Sequence, residues 1–260
     1  MPSDHETLAA RLRAAYAGSP VAPLRDGLDP DDVEGAYAVQ AINTRFWTGS
    51  GRRIVGYKIG LTSLAVQRQL GVDQPDFGVL FDDMCVPDGG TLSASKLLQP
   101  KVEAEVALVL ARDLDREDAS PRDVEAAAAY VVSALEIVDS RIADWTIRFA
   151  DTVADNGSSA FFVLGTHKRA PGEIDLAGCE MSLTANGVSA SSGTGAACLG
   201  HPLNAAAWLA RTLSARGVPL RAGDVLMTGA LGPMLTLEPG MTVQAQISGL
   251  GAVGFHFNGD

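Results

Sequence analysis

Glu103-Ala104-Glu105 opens the apolar run Val102-Glu103-Ala104-Glu105-Val106-Ala107-Leu108-Val109-Leu110, and these two acids carry the most telling chemistry of the chain. In a strand, positions i and i+2 face the same way, so the two carboxylates stand side by side about 7 Å apart. Glutamate is a poor strand former and like charges on one face repel, so something positive belongs between them. A third acid, Glu136, lies inside a second apolar run, Val131-Val132-Ser133-Ala134-Leu135-Glu136-Ile137-Val138. Three carboxylates in strand-like segments, with few bases alongside, point to a hard divalent cation held by oxygen. The set holds neither histidine nor thiolate, which favours Mg2+ or Mn2+ over Zn2+. The plain alternative is an exposed strand edge whose glutamates pair with a base such as Lys101, which shares their parity. An unpaired buried carboxylate costs roughly several kcal/mol, and Glu136 amid a long apolar run weighs against that alternative.

Lys58 lies in Val55-Gly56-Tyr57-Lys58-Ile59-Gly60, a lysine in an apolar strand flanked by glycines. Either it snorkels to the surface, or the glycines let a ligand approach its ammonium. Asp76, in Gln74-Pro75-Asp76-Phe77-Gly78, and the pair Asp82-Asp83 are loop acids of a kind that mostly form turns. Asp155-Asn156-Gly157-Ser158-Ser159 reads as a turn with hydroxyls before a strand, and Ser159 at its end is a candidate substrate contact. Thr228-Gly229-Ala230-Leu231-Gly232-Pro233 leaves a strand into a glycine turn, which can aim backbone N–H groups at an anion or simply turn the chain. Gly193-Thr194-Gly195 lacks the strand-to-helix context and the third glycine of a nucleotide fingerprint. His201, before Pro202, sits where a helix should start, with no second histidine near it. Asp139, Arg141, Asp144 and Trp145 follow Glu136 and either orient the site from behind or pair on the surface.

The elements that must position these groups fall into two parts. The first ~50 residues read as helical, with one stripe at Leu8, Leu12 and Ala15 and another at Val33, Ala36, Val39, Ile42 and Phe46 after Asp29-Pro30-Asp31-Asp32. A strand over Arg53 to Gly60 and a helix from Ser63 to Leu70 follow, then a loop-like Gly71 to Gly90. Ser120 and Pro121 start a helix to Ala129 between the two carboxylate strands. Beyond residue 155 strands dominate. Ala160 to Leu164 is one, and Asn186-Gly187 marks a hairpin between Met181–Thr184 and Val188–Ala190. A helix from Pro202 to Arg216 closes at Gly217 and Pro219, and short strands follow at Asp224–Thr228, Met234–Leu237, Thr242–Ile247 and Ala252–Phe257. The expected organisation is α+β, with a mainly helical portion over 1–70 packed on a β-rich body over 71–260, and no regular βαβ alternation.

A chain of 260 residues suits one large core or two modest domains. Its net charge of −11 argues against a nucleic-acid partner, and an acidic protein that handles an anion must neutralise it locally. No stretch of ~20 apolar residues suggests a membrane span, and the N-terminus lacks a signal-peptide pattern. Cys85, Cys179 and Cys198 are an odd number without metal-type spacing, so we expect buried free thiols in a soluble, cytoplasmic protein.

Gly56-Tyr57-Lys58-Ile59-Gly60-Leu61-Thr62, Gln74-Pro75-Asp76-Phe77-Gly78, Val102-Glu103-Ala104-Glu105 and Leu135-Glu136-Ile137-Val138-Asp139-Ser140-Arg141 together resemble the 2-keto-4-pentenoate (2-hydroxypenta-2,4-dienoate) hydratases. Asp151 to Asn156, Leu199 to Asn204 and Leu226 to Pro233 continue the resemblance in the same order, from about residue 30 to the C-terminus. These enzymes belong to the fumarylacetoacetate hydrolase superfamily, as do the 4-oxalocrotonate decarboxylases. The resemblance implies a mixed β-roll, a Mg2+ or Mn2+ cofactor and a homo-oligomer, commonly a pentamer of dimers (a decamer). It implies Glu103, Glu105 and Glu136 as metal ligands, Lys58 as the active-site lysine and Asp76 as a loop aspartate near the substrate. Thr228 and Gly229 match the turn near the substrate's carboxylate end. The histidine and base cluster of the superfamily's hydrolases has no counterpart here, which disfavours C–C hydrolysis. The implied reaction is hydration of a 2-hydroxydienoic acid in aromatic meta-cleavage catabolism. Decarboxylation of 4-oxalocrotonate, or a scaffold role that passes substrate to a partner decarboxylase, are the alternatives.

Overall fold

The computed structural model describes residues 4–63, 67 and 72–259. The helix expected from Ser63 to Leu70 falls mainly on residues outside that set. Five helices are described: α1 Asp4–Ala15, α2 Val33–Gly49, α3 Pro121–Ala127, α4 Phe149–Ala154 and α5 Pro202–Ala215. The strands are β1 Ile54–Gly60, β2 Asp76–Phe81, β3 Cys85–Val86, β4 Thr91–Ser93, β5 Pro100–Leu110, β6 Ala128–Asp139, β7 Ser159–Leu164, β8 Glu180–Ala185, β9 Val188–Thr194, β10 Val225–Ala230, β11 Leu235–Thr236, β12 Met241–Ile247 and β13 Gly251–Asn258.

One sheet runs β2-β1-β10-β5-β6-β7-β3, with β11 added to β5, and a second runs β4-β13-β12-β8-β9. Both are mixed: β1 with β10, β7 with β3 and β13 with β4 are parallel, the other pairs antiparallel. In β12 and β13 every second residue is buried (Val243, Ala245 and Ile247; Val253, Phe255 and Phe257), and that apolar face packs on β6 and β7. The centre of the first sheet is covered on both sides, so β5 and β6 read as near-continuous apolar runs. This is the α+β mixed β-roll with a helical N-terminal portion. Among the described residues no helix is long and apolar enough to cross a membrane.

The differences from the sequence reading are local. Gly71 to Gly90 is not all loop, because Asp76–Phe81 forms the fully buried edge strand β2. Helix α3 stops at Ala127, and the chain passes directly into β6. The stripe expected on α2 is rotated: Ala36 and Val39 are buried, but Phe46 is 49% exposed. The buried face instead includes Gln40, whose amide donates to the carbonyls of Phe77 and Val153 at 2.8 and 3.0 Å. A polar residue faces inward there because the outer edge of β2 needs donors. Cys179 and Cys198 are buried free thiols as expected, whereas Cys85 is exposed.

Candidate metal centre and active site

Cross-strand register puts Glu103 directly opposite Glu136, and Glu105 opposite Ala134. Side chains of opposed residues share a face, so all three carboxylates point to the same side of the sheet. Each offers an oxygen, and the three oxygens lie within 4.8 Å of one another. Glu105 and Glu136 are fully buried and Glu103 half-buried, so the cluster opens on the Glu103 side.

Two irregularities in the sheet complete the setting. Pairing of β10 with β5 shifts register between Met227 and Ala230. The bulge frees the Gly229 N–H to donate to Glu105 Oε2 at 2.8 Å. Gly229 has φ +107°, and a Cβ there would lie 2.2 Å from Thr62 Oγ1, so glycine is required. The Thr228 hydroxyl donates to the Val106 carbonyl at 2.8 Å, which ties the bulge to β5. A second shift, between Ile137 and Val138, sets Ser159 opposite Val138 and therefore on the face of Glu136. Ser159 is fully buried and its Oγ has no hydrogen-bond partner.

Lys58 projects from β1 into this cluster, its Nζ 3.3 Å from Glu136 Oε1. Of the two glycines beside it in sequence, Gly56 admits the backbone of Val225, whereas Gly60 makes room for Asp76, whose Oδ1 would lie 2.1 Å from a Cβ there. Gly60 also borders the ammonium, with Lys58 Nζ 3.3 Å from a Cβ there, and two further glycines from elsewhere accommodate the lysine chain. A Cβ on Gly157 would lie 2.7 Å from Lys58 Cε, and one on Gly78 would lie 3.3 Å from its Cγ.

The electrostatics follow from burial without enough positive charge. Burial pushes the Lys58 ammonium toward its neutral form, but Glu136, Asp76, Glu103 and Glu105 outweigh it and raise its pKa. Burial, with Glu136 next, lifts the Glu103 carboxyl to about 7. Burial and the other two glutamates hold Glu105 well above the ordinary carboxyl range, and burial raises Glu136 despite Lys58. Asp76 is raised by burial too, opposed by Lys58, the Gly60 backbone and the Thr152 side chain. One ammonium therefore faces four carboxyls. Glu105 Oε1 and both oxygens of Glu136 have no hydrogen-bond partner, and neither has Asp76 Oδ1; the Lys58 contact is an ion pair outside hydrogen-bond geometry. Convergent, unsatisfied, all-oxygen donors fit a hard divalent cation, and the set fits the group the sequence called for.

The remaining sequence candidates lie apart from the cluster. Lys101 shares its face, but its ammonium rests 4.3 Å over the Trp145 ring. Asp82 and Asp83 pair with Arg53 and Arg52 at the surface. His201 caps α5, its Nδ1 accepting from the Leu203 N–H at 3.0 Å. Asp139 accepts from the backbone of Leu98 and Gln99, and Arg141 pairs with Asp155. Sequence reasoning did not find Thr62, Thr152, Gly78 or the close approach of Gly157. Thr62, Gly78 and Thr152 lie inside the stretches that carry the resemblance, but glycines and hydroxyls, which turns supply everywhere, gave no local reason to single them out.

Residues 57–258 match the family described as fumarylacetoacetate (FAA) hydrolase C-terminal. The chain belongs to that family. It is 56% identical over 249 residues to 2-keto-4-pentenoate hydratase 2 of Dechloromonas aromatica (strain RCB), covering 95% of each chain. It is 53% identical over 257 residues to 2-keto-4-pentenoate hydratase of Paraburkholderia xenovorans (strain LB400), covering 98% of this chain and 96% of that one. Among solved structures it is similar to 4-oxalocrotonate decarboxylase from Pseudomonas putida G7 complexed with magnesium and adipate, at TM-score 0.93 and 35% identity over 97% of both chains. Within the fumarylacetoacetate hydrolase family, the carboxylate cluster thus sits on a fold that holds a divalent metal in that decarboxylase.

Proposed function

We propose that this protein is a metal-dependent hydratase that adds water to 2-hydroxypenta-2,4-dienoate, or a close homologue, to give a 4-hydroxy-2-oxo acid. The observation that carries the reading is the buried Glu103, Glu105 and Glu136 set with its unsatisfied oxygens, beside the buried Lys58. The hydratases it resembles at more than half identity favour water over CO2 as the moving molecule. Glu103, Glu105 and Glu136 would hold a Mg2+ or Mn2+ ion, which would supply Lewis-acid stabilisation of developing negative charge on the substrate.

The chain's own groups do the rest. Gly229 orients Glu105 through its N–H, so the donor set is fixed before substrate arrives. Lys58, held protonated by its four acidic neighbours, balances developing negative charge. Asp76, whose carboxyl burial raises toward the protonated range, moves protons between the enol and the far end of the diene. Protonation at C5 with loss of the enol proton gives the α,β-unsaturated ketone, and water then adds at C4. Ser159, with its partnerless buried hydroxyl, and the bulge at Thr228 and Gly229 form the substrate's side of the site. The three free thiols agree with a cytoplasmic setting. A homo-oligomer as large as a decamer, and association with a pathway decarboxylase, belong to the same proposal.

The similarity to 4-oxalocrotonate decarboxylase keeps one second reading in view. Incubation with Mn2+ and 2-hydroxymuconate separates the two. The hydratase reading expects slow or no CO2 release from it and rapid consumption of 2-hydroxypenta-2,4-dienoate. Rapid CO2 release would make the protein a decarboxylase.

A further inference from the structure

The turn between α4 and β7 has an unusual backbone. Asn156, Gly157 and Ser158 have φ of 59°, 60° and 53°, three successive residues in the left-handed region. Residues with a Cβ resist that conformation, and such a run persists only where its surroundings hold it. Here two sets of contacts do so. Arg141, only 1% exposed, brackets the turn: its backbone N–H and Nε donate to the Asp155 carboxylate at 2.9 and 2.6 Å, its Nη2 to the Asp155 carbonyl at 2.7 Å, and its Nη1 to the Ser159 carbonyl at 3.0 Å. On the other side the Asn156 amide takes the place of a neighbouring strand for β2. Its Oδ1 accepts from the Val79 N–H at 2.7 Å and its Nδ2 donates to the Val79 carbonyl at 2.9 Å.

The apex of this turn is Gly157, which leaves no room for a Cβ beside Lys58. Gly78, the cross-strand partner of Lys58, packs against the same turn, and a Cβ there would lie 2.3 Å from the Asn156 carbonyl oxygen. The lysine chain runs against two mutually packed backbone segments, and one of them is in a conformation it would not adopt alone. We propose that Arg141 and Asp155 are positioning residues: their buried ion pair holds the left-handed turn that fixes the Lys58 ammonium next to Glu136. Neither group touches the carboxylate cluster, so they act through the turn, on Lys58 first and on Ser159 at its end, and not on the cation. The inference rests on the role given to Lys58 under the proposed function.

Asp155→Asn keeps the shape of the side chain and removes the charge that anchors Arg141. A displaced catalytic group typically costs about 100-fold in turnover, so Asp155→Asn is expected to lower kcat by about that factor while KM and the calorimetric Mn2+ affinity change by less than about threefold. Combined with Lys58→Ala, which alone should abolish most turnover, it should lower the residual rate by less than about tenfold, because the main residue it positions is gone. A merely structural pair would add its loss in both backgrounds. Where circular dichroism shows that Asp155→Asn does not fold, Arg141→Lys decides by the same readouts, since it keeps a buried cation beside Asp155 and removes the guanidinium donors to the Asp155 and Ser159 carbonyls. Wild-type kcat in the folded variant, or an undiminished further loss on top of Lys58→Ala, would overturn the positioning role alone. Full turnover in Lys58→Ala itself would overturn the role of the lysine, and this inference with it.

Discussion

Glu105 and Glu136 bring three carboxylate oxygens into the protein interior with no hydrogen bond to compensate them. Each such group costs stability unless a cation satisfies it, so these side chains trade folding energy for binding. Glu105→Ala should therefore leave the metal-free protein as stable as before, or more so, while weakening Mn2+ affinity by at least about 100-fold in calorimetry. Unchanged Mn2+ binding in that variant would remove the metal centre from the account. The same imbalance has a pH signature. The Glu103 carboxyl is lifted to about 7 in the folded protein from an ordinary 4.5. Its contribution to stability is then fully present below pH 4.5 and is lost as pH rises through about 7, because the folded state binds the proton more tightly than the unfolded one. Metal-free protein should melt at a lower temperature at pH ~8 than at pH ~5.5, and Mn2+, which favours the ionised carboxylates, should remove or reverse that fall. Equal dependence on pH with and without Mn2+ would contradict it. The residue types at this centre were legible in the sequence because strand parity alone aligns Glu103 with Glu105. The direct opposition of Glu103 and Glu136 is a matter of register between strands, which no local pattern specifies.

Element by element, the chain signals its strands and helices where one face is apolar and hides them where an edge is served by polar groups. The Asn186-Gly187 hairpin, the cap at Ser120 and the α5 helix follow their local chemistry. Strand β2 does not: its neighbours Pro75, Asp82 and Asp83 read as turns, and its outer edge is paired by the side chains of Gln40 and Asn156 instead of a strand. That pairing also explains why α2 buries Gln40 and exposes Phe46. His201 illustrates a chemistry-bearing residue used for structure, since its ring caps α5. Loss of a helix cap typically costs about 1 kcal/mol, so His201→Ala should lower Tm by about 2–4 °C with kcat intact. A collapse of turnover in folded His201→Ala protein would place the histidine in the reaction.

At the scale of the whole molecule, a chain of net charge −11 gathers four of its carboxyls around one lysine and leaves the balance to a cation. A ligand that binds only the folded state stabilises it by about 2.7 kcal/mol at a concentration of 100 Kd, so saturating Mn2+ should raise Tm by about 5–10 °C. No rise would mean that the buried carboxylates have no cation to serve. The composition made this need for positive charge readable, and the order of motifs made the β-roll readable. The Arg141 bracket and the walls around Lys58 were not, because they join segments far apart in the chain through backbone carbonyls that any residue supplies. The central claim is that this cluster turns a dienol into a hydrated 2-oxo acid. Its most direct test is the rate at which metal-stripped protein consumes 2-hydroxypenta-2,4-dienoate before and after Mn2+ is restored, with the product identified by NMR. Negligible turnover without metal and rapid formation of the 4-hydroxy-2-oxo acid with it are expected; turnover indifferent to metal, or absent when metal is present, would contradict a metal-dependent hydratase.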